Sequence, residues 1–219
     1  MLNKILLTRN LQLYWHNIKF RFLIVYPAML LLLTFKSWQG MAGIRLFSGV
    51  LQVPGAIVFP FDWLFIMLAV FLIIGDSPRE LFLKDYPIVS RVPAGSYLAT
   101  IYFMNASLTV MIWLTWQLFG GLPLIFSLEM LLIFLALTAL YASLQFFISS
   151  LLDLGLYAAA FIVAILVNQL PFLSSLMYLR YSAHWADGLL GSCFCLLAAW
   201  ILSRMIKYID FSLERQLQE

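Results

Sequence analysis

Charge is what this chain has least of. Of 219 residues, 13 are Lys or Arg and 10 are Asp or Glu, so 11% are charged, against about a quarter in an average soluble domain. Cysteine and histidine are scarcer still, at two each. Cys193 and Cys195 lie inside the apolar run Leu189–Trp200. Two positions apart on a helix they point to different sides, so they are expected to be small hydrophobes rather than a disulfide. His16 and His184 are far apart and no zinc-type Cys/His spacing occurs, which leaves metal chemistry without support. The chain has no G-x-x-x-x-G-K-[ST] phosphate loop, so it is not expected to bind ATP itself. What is abundant is apolar surface: 64% of residues are hydrophobic. A soluble fold could not cover that much, and a disordered chain could not keep it solvated. The composition defines an integral membrane protein. The net charge of +3 then concerns orientation, not nucleic acid, and no nucleic-acid partner is expected.

A bilayer core about 30 Å thick takes about 20 helical residues to cross. Six stretches are expected to do so, giving a single all-α membrane domain over 1–219 with spans near Arg21–Phe35, Phe61–Gly75, Tyr97–Phe119, Leu128–Leu152, Leu156–Leu173 and Leu189–Ile206. The first is short, and gains length from Lys19 and Arg21 snorkelling at one end and Trp38 anchoring at the other. The basic residues Lys4, Arg9, Lys19, Arg21, Arg79, Lys84, Arg91, Arg204, Lys207 and Arg215 fall on one side, while only Lys36, Arg45 and Arg180 fall on the other. Ten against three places both termini in the cytoplasm. Gly120-Gly121-Leu122-Pro123 reads as a tight external turn and Asp153-Leu154-Gly155 as a short internal one. Thr34-Phe35-Lys36 makes a poor processing site, so no cleaved signal is expected.

Residues 1–20 are too polar to span. Lys4, Arg9, Gln12, His16 and Lys19 share an arc, Asn3, Asn10 and Asn17 form a stripe, and leucines with Tyr14 and Ile18 form apolar lines. An amphipathic helix lying in the cytoplasmic interface, its cations on anionic lipid headgroups, fits this pattern. The external segment Ser37–Pro60, rich in Gly and Pro, is expected to be loop with at most a short helix, and Pro171–Gly188 a loop or short re-entrant piece.

An intramembrane enzyme or ion-coupled carrier would carry ionisable groups inside its spans. Here Asp62, Glu129 and Asp153 all fall at expected span ends, within reach of water. The spans instead hold neutral polar residues. Asn105, Thr109, Gln145 and Asn168 are candidates for a weakly polar translocation path, set against plain interhelical hydrogen bonding.

The internal segment Asp76–Ser96 carries the strongest local signal. Ser77 followed by Glu80 makes a capping box, with Pro78 at the favoured first helical position and Pro87 as a stop. Glu80 and Lys84 are spaced as an i,i+4 pair. A two-turn helix over Pro78–Tyr86 is therefore expected. A solvated connector needs only a few residues, so the helix is expected to dock on something. Leu81, Phe82 and Tyr86 would offer the apolar contact, and Arg79, Glu80, Lys84 and Asp85 would set its register.

This layout, with the run Arg79-Glu80-Leu81-Phe82-Leu83-Lys84-Asp85-Tyr86 followed by Arg91-Val92-Pro93, resembles the membrane subunit of a bacterial type-2 ABC exporter. The likeness covers the whole chain in layout and about twenty residues in motif. It implies that Ser77–Tyr86 is a coupling helix seated in a groove of a separate cytoplasmic ATPase subunit, which holds the ATP and magnesium. It also implies a second permease, identical or paralogous, and export of a hydrophobic or amphipathic peptide, lipid or drug across the plasma membrane. The chain itself would be no enzyme. Two other classes stay open: an intramembrane protease or lipid-modifying enzyme, and a non-catalytic assembly or immunity protein.

Overall fold

The computed structural model describes residues 4–40, 45–49, 51–53, 56–84, 94–167 and 171–206. Apart from one small antiparallel ribbon the regular elements are helices. In chain order they are α1 (Lys4–Trp38), β1 (Leu51–Val53), β2 (Ala56–Val58), α2 (Phe61–Ile74), α3 (Ser77–Lys84), α4 (Ala94–Gly120), α5 (Leu124–Leu144), α6 (Ser150–Leu166), α7 (Pro171–Ser174) and α8 (Tyr178–Met205). Five stretches are long and apolar enough to cross a membrane: Thr8–Trp38, Phe61–Phe82, Gly95–Gly120, Leu124–Leu144 and Tyr178–Met205. The chain is a multi-pass membrane protein. The 17-residue α6 is shorter, about 26 Å at the helical rise.

α2 is the hub, because α1, α4, α5 and α6 all pack on it. Between Asp62 and Asp76 it has no charged side chain, so every face can be buried at no electrostatic cost. Its Phe71 ring meets Tyr141 edge-on at 5.3 Å and lies 4.7 Å from the ring of Tyr157. Phe134 and Phe161 complete the cluster, both 6.1 Å away. Such pairs add about 0.5–1.5 kcal/mol each beyond their buried area. α1 and α2 run antiparallel, fastened by the ion pairs Lys36–Asp62 at one end and Arg21–Asp76 at the other. The helix between those pairs, free of charge on both elements, is about 22 Å long. That fits within a bilayer core of about 30 Å once the paired side chains reach outward. α8 packs chiefly on α5, and its outer face, with Leu190, Phe194 and Leu197, is exposed apolar surface.

Four expectations are corrected. The N-terminal arm and the first span are not two elements but one unbroken helix of 35 residues, about 52 Å long. No glycine interrupts it, and Pro27 sits within it, where neighbouring helices let a span tolerate proline. Two of the arm's polar side chains also point inward: Asn10 and Tyr14 are buried and donate to Thr100 Oγ1 (2.9 Å) and Asn105 Oδ1 (2.7 Å) on α4. Asn10 of the polar stripe is thus spent on a neighbouring helix, while Thr8, Gln12 and His16 stay exposed. Next, Ser37–Pro60 holds the β1–β2 ribbon, with Leu51 opposite Val58 and Val53 opposite Ala56. The fourth expected span, Leu128–Leu152, ends early, since α5 stops at Leu144 and a turn covers 145–149. Asp153 therefore lies inside α6 and not in the connection. Finally, α8 begins at Tyr178 rather than near Leu189. Arg180 in its first turn donates to the carbonyls of Ala164 (2.6 Å) and Ile165 (3.3 Å), satisfying the open C-terminal end of α6.

Candidate functional site

The short helix α3 leaves α2 through a two-residue turn, Gly75-Asp76. Gly75 has φ +51° and ψ −129°, a conformation essentially open only to glycine. A Cβ there would also strike the Arg21 guanidinium. Arg21 lies against this turn because it has two tasks in it. One guanidinium nitrogen donates to Ile74 O (3.0 Å), closing the end of α2, and the other pairs with the Asp76 carboxylate. The Gly75 carbonyl accepts from the Tyr141 hydroxyl (3.1 Å) and from the Gln145 amide, both from the end of α5. One turn thus ties α1, α2, α3 and α5 together. α4 joins through the Tyr97 hydroxyl, which donates to Leu81 O at 2.8 Å.

α3 itself forms as expected, over Ser77–Lys84. Its start is different. The Asp76 carbonyl accepts the first intrahelical bond, from Glu80 N at 3.0 Å, so Asp76 is the cap and Ser77 is already helical. The Ser77 hydroxyl is buried without a hydrogen-bond partner, and the expected capping box does not form around it. Pro78 is buried, whereas Arg79 and Glu80 are half-buried. Leu81 (1% exposed) and Phe82 (3%) are core residues of this chain. The Phe82 ring lies edge-to-face on Tyr97 at 5.8 Å and on Phe146 at 5.2 Å. They are not apolar contacts held out for a partner. The helix is described as far as Lys84, and Asp85 and Tyr86 lie outside the described residues.

The expected path residues occupy seams between helices. Asn105 is 1% exposed and accepts from Tyr14, while Thr109 donates to the Asn105 carbonyl (2.8 Å) and approaches Thr138 Oγ1 at 3.4 Å. Gln145 turns to Gly75, at the joint beneath α3. Asn168 lies outside the described residues. Polar residues the spans share make further bonds of this kind: Tyr102 with Ser143 at 2.7 Å, and Tyr26 with Thr115 at 3.0 Å. Membrane interhelical bonds of this sort are worth about 0.6–2 kcal/mol each.

Of the three carboxylates expected in water, only Asp62 has that position, paired with Lys36 beside an outward-opening hollow of about 340 Å³ that Arg45 also lines. Glu129, 8% exposed, lies against Gly188 of α8, and its Oε1 is buried without a hydrogen-bond partner. Asp153 is 0% exposed. Among the described residues no group of three His, Cys, Asp or Glu side chains could hold a metal ion.

Sequence reasoning passed over Gly75, Asp76 and Tyr141, and took Arg21 for a snorkelling cation and Asp153 for a solvated span end. The Gly-Asp pair after an apolar run was a visible turn signal. Nothing local marks Tyr141 or Arg21, whose roles depend on partners 66 and 53 residues away.

These observations define a helical multi-pass membrane protein with a short charged helix bolted to the ends of its spans. Compared with family models, with curated proteins and with solved structures, the chain matches none.

Proposed function

We propose that this chain is the membrane subunit of an ATP-driven exporter of the type-2 ABC kind. It would cross a bacterial plasma membrane six times, with α6 as the short additional span and both termini on the side of the Arg21–Asp76 pair. It would work with a second permease, a copy or a paralogue, and with separate cytoplasmic ATPase subunits that hold ATP and magnesium. The observation that carries this reading is the fastening of α3. A connector of eight helical residues needs no tertiary support to join two spans. Here its base bonds to α1 and α5 through Arg21, Asp76, Tyr141 and Gln145, and its middle to α4 through Leu81 and Tyr97. A push on α3 would move four spans as a unit.

Closure of the ATPase subunits would supply that push. The free-energy difference between the two permease states would then come from contacts made at α3. Since Leu81 and Phe82 belong to the chain's own core, docking falls to the half-buried Arg79 and Glu80 and to the end of the helix at Lys84. Asn105, Thr109 and Gln145 bond between helices of one chain, and in this reading the cargo would pass along the face between two permeases. The cargo would be of hydrophobic or amphipathic character, since the spans carry few charged residues.

Purification in a gentle detergent tests the reading. An ATPase subunit is expected to co-purify in stoichiometric amount, and Arg79→Ala with Glu80→Ala should release it while the spans stay folded. A pure chain with hydrolytic activity toward peptide or lipid, and no ATPase partner, would instead favour an intramembrane enzyme.

A further inference from the structure

Asp153 has no part in the joint's bonding, yet its burial is complete. Its side chain is fully shielded, and neither carboxylate oxygen has a hydrogen-bond partner. The groups around it offer no replacement for water. On α5 the nearby Tyr141 hydroxyl donates to Gly75 O at 3.1 Å. On α6 itself the Tyr157 hydroxyl donates to Leu137 O at 3.0 Å, and the Cys195 thiol of α8 lies near Tyr157. Beyond Tyr141, Arg21 of α1 and Asp76 of the α2–α3 turn are paired with one another. α2, which packs on α6, brings Asp62 alone, and that residue is paired with Lys36 at the opposite border.

The start of α6 does not help either. Its Leu152 amide turns to Ser149 Oγ at 3.4 Å and the Asp153 amide to Ser149 O at 3.0 Å. An ionised carboxylate here would lose its hydration and gain neither donor nor counter-ion, whereas the neutral acid loses far less. A divalent cation would need about six oxygen ligands, and among the described residues no such acidic cluster stands around Asp153. A proton needs only the carboxylate.

We propose that Asp153 is a proton-binding site, occupied when α6 is packed on α2 and α5, and that loss of the proton loosens α6 from that core. The charge would arise beside the Phe71–Tyr141–Tyr157 aromatic cluster, which can solvate it only by opening. Because Tyr141 also holds the Gly75 carbonyl, that opening reaches the joint beneath α3. The site follows from burial and bonding alone and goes beyond the export reading.

The full-length protein in detergent tests this with dicyclohexylcarbodiimide, an apolar reagent that attacks protonated carboxyls. At neutral pH it is expected to label Asp153 and to spare Asp62 and Asp76, with labelling lost in Asp153→Asn. The infrared carbonyl band of a protonated carboxylic acid should likewise be present in the parent and lost in that variant, with no need for reagent access. Once the base-catalysed rise in intrinsic exchange is divided out, raising the pH should lower the protection of α6 amides in the parent and not in Asp153→Asn, which should melt at the parent temperature or above it. Absence of both the label and the band overturns the proposal. So does a melting temperature of Asp153→Asn well below the parent's, or a parent melting temperature that falls when sodium is replaced by choline, since each points to a bound cation. None of these readouts involves an ATPase, so their failure leaves the export reading intact, and loss of the export reading leaves them standing.

Discussion

Gly75 does more for this molecule than any charged residue near it. Its left-handed backbone, its missing Cβ and its doubly accepting carbonyl are three separate requirements met by one position. The Arg21–Asp76 pair beside it is partly open to solvent, with side chains 31% and 38% exposed. Pairs so placed contribute about 1 kcal/mol or less, while a side chain forced into a glycine-only conformation costs about 1–3 kcal/mol before any clash. Gly75→Ala is therefore expected to lower the melting temperature in detergent by clearly more than Asp76→Asn does. Equal shifts would mean the ion pair, not the turn, holds the joint. The sequence made the turn visible and hid its importance. Gly75-Asp76 could be recognised as a break, but the guanidinium that forbids a Cβ comes from a residue more than fifty positions earlier.

Elements show the same division. α3 was legible almost to the residue, because Pro78 and the charges after it act within one or two turns. Which of its faces looks outward was not legible: an apolar face reads alike whether it meets a partner or the chain's own core. Phe82→Ala illustrates the difference. With the ring buried between Tyr97 and Phe146, the truncation is expected to cost about 3–5 kcal/mol of stability, measured as a loss of thermal stability in the isolated chain. A docking residue would leave the isolated chain unaffected and weaken only the complex.

For α1, the bonds of Asn10 and Tyr14 to α4 predict that protein contacts, not headgroups, hold its first half. Tyr14→Phe removes one interhelical bond, worth about 0.6–2 kcal/mol. It is expected to increase proteolysis of residues 8–20 in inverted vesicles, whereas Lys19→Gln leaves that protection unchanged. The opposite ranking would restore the lipid-bound arm.

On the scale of the whole molecule, two ion pairs fence an uncharged slab, with Lys36–Asp62 at one border and Arg21–Asp76 at the other. The excess of basic residues on the Arg21 side predicts which border is cytoplasmic. In a background lacking Cys193 and Cys195, single cysteines at Arg45 and Ser182 are expected to react with an impermeant thiol reagent from outside intact cells. Cysteines at Ser149 and Arg204 should react only after the membrane is opened. Labelling of Ser149→Cys in intact cells would reverse the orientation.

Membrane class, helical architecture, the charge asymmetry and the place of α3 were all decided by the sequence alone, since each follows from contiguous residues: hydropathy over about 20 positions, or start and stop signals within a few. Tertiary structure decided the rest. It merged the arm with the first span, turned Leu81 and Phe82 inward, and sealed Asp153 away from water. Burial of one side chain depends on residues brought near it from across the chain, and a carboxylate at the start of an apolar run looks the same in sequence whether water or a ring of aromatics awaits it.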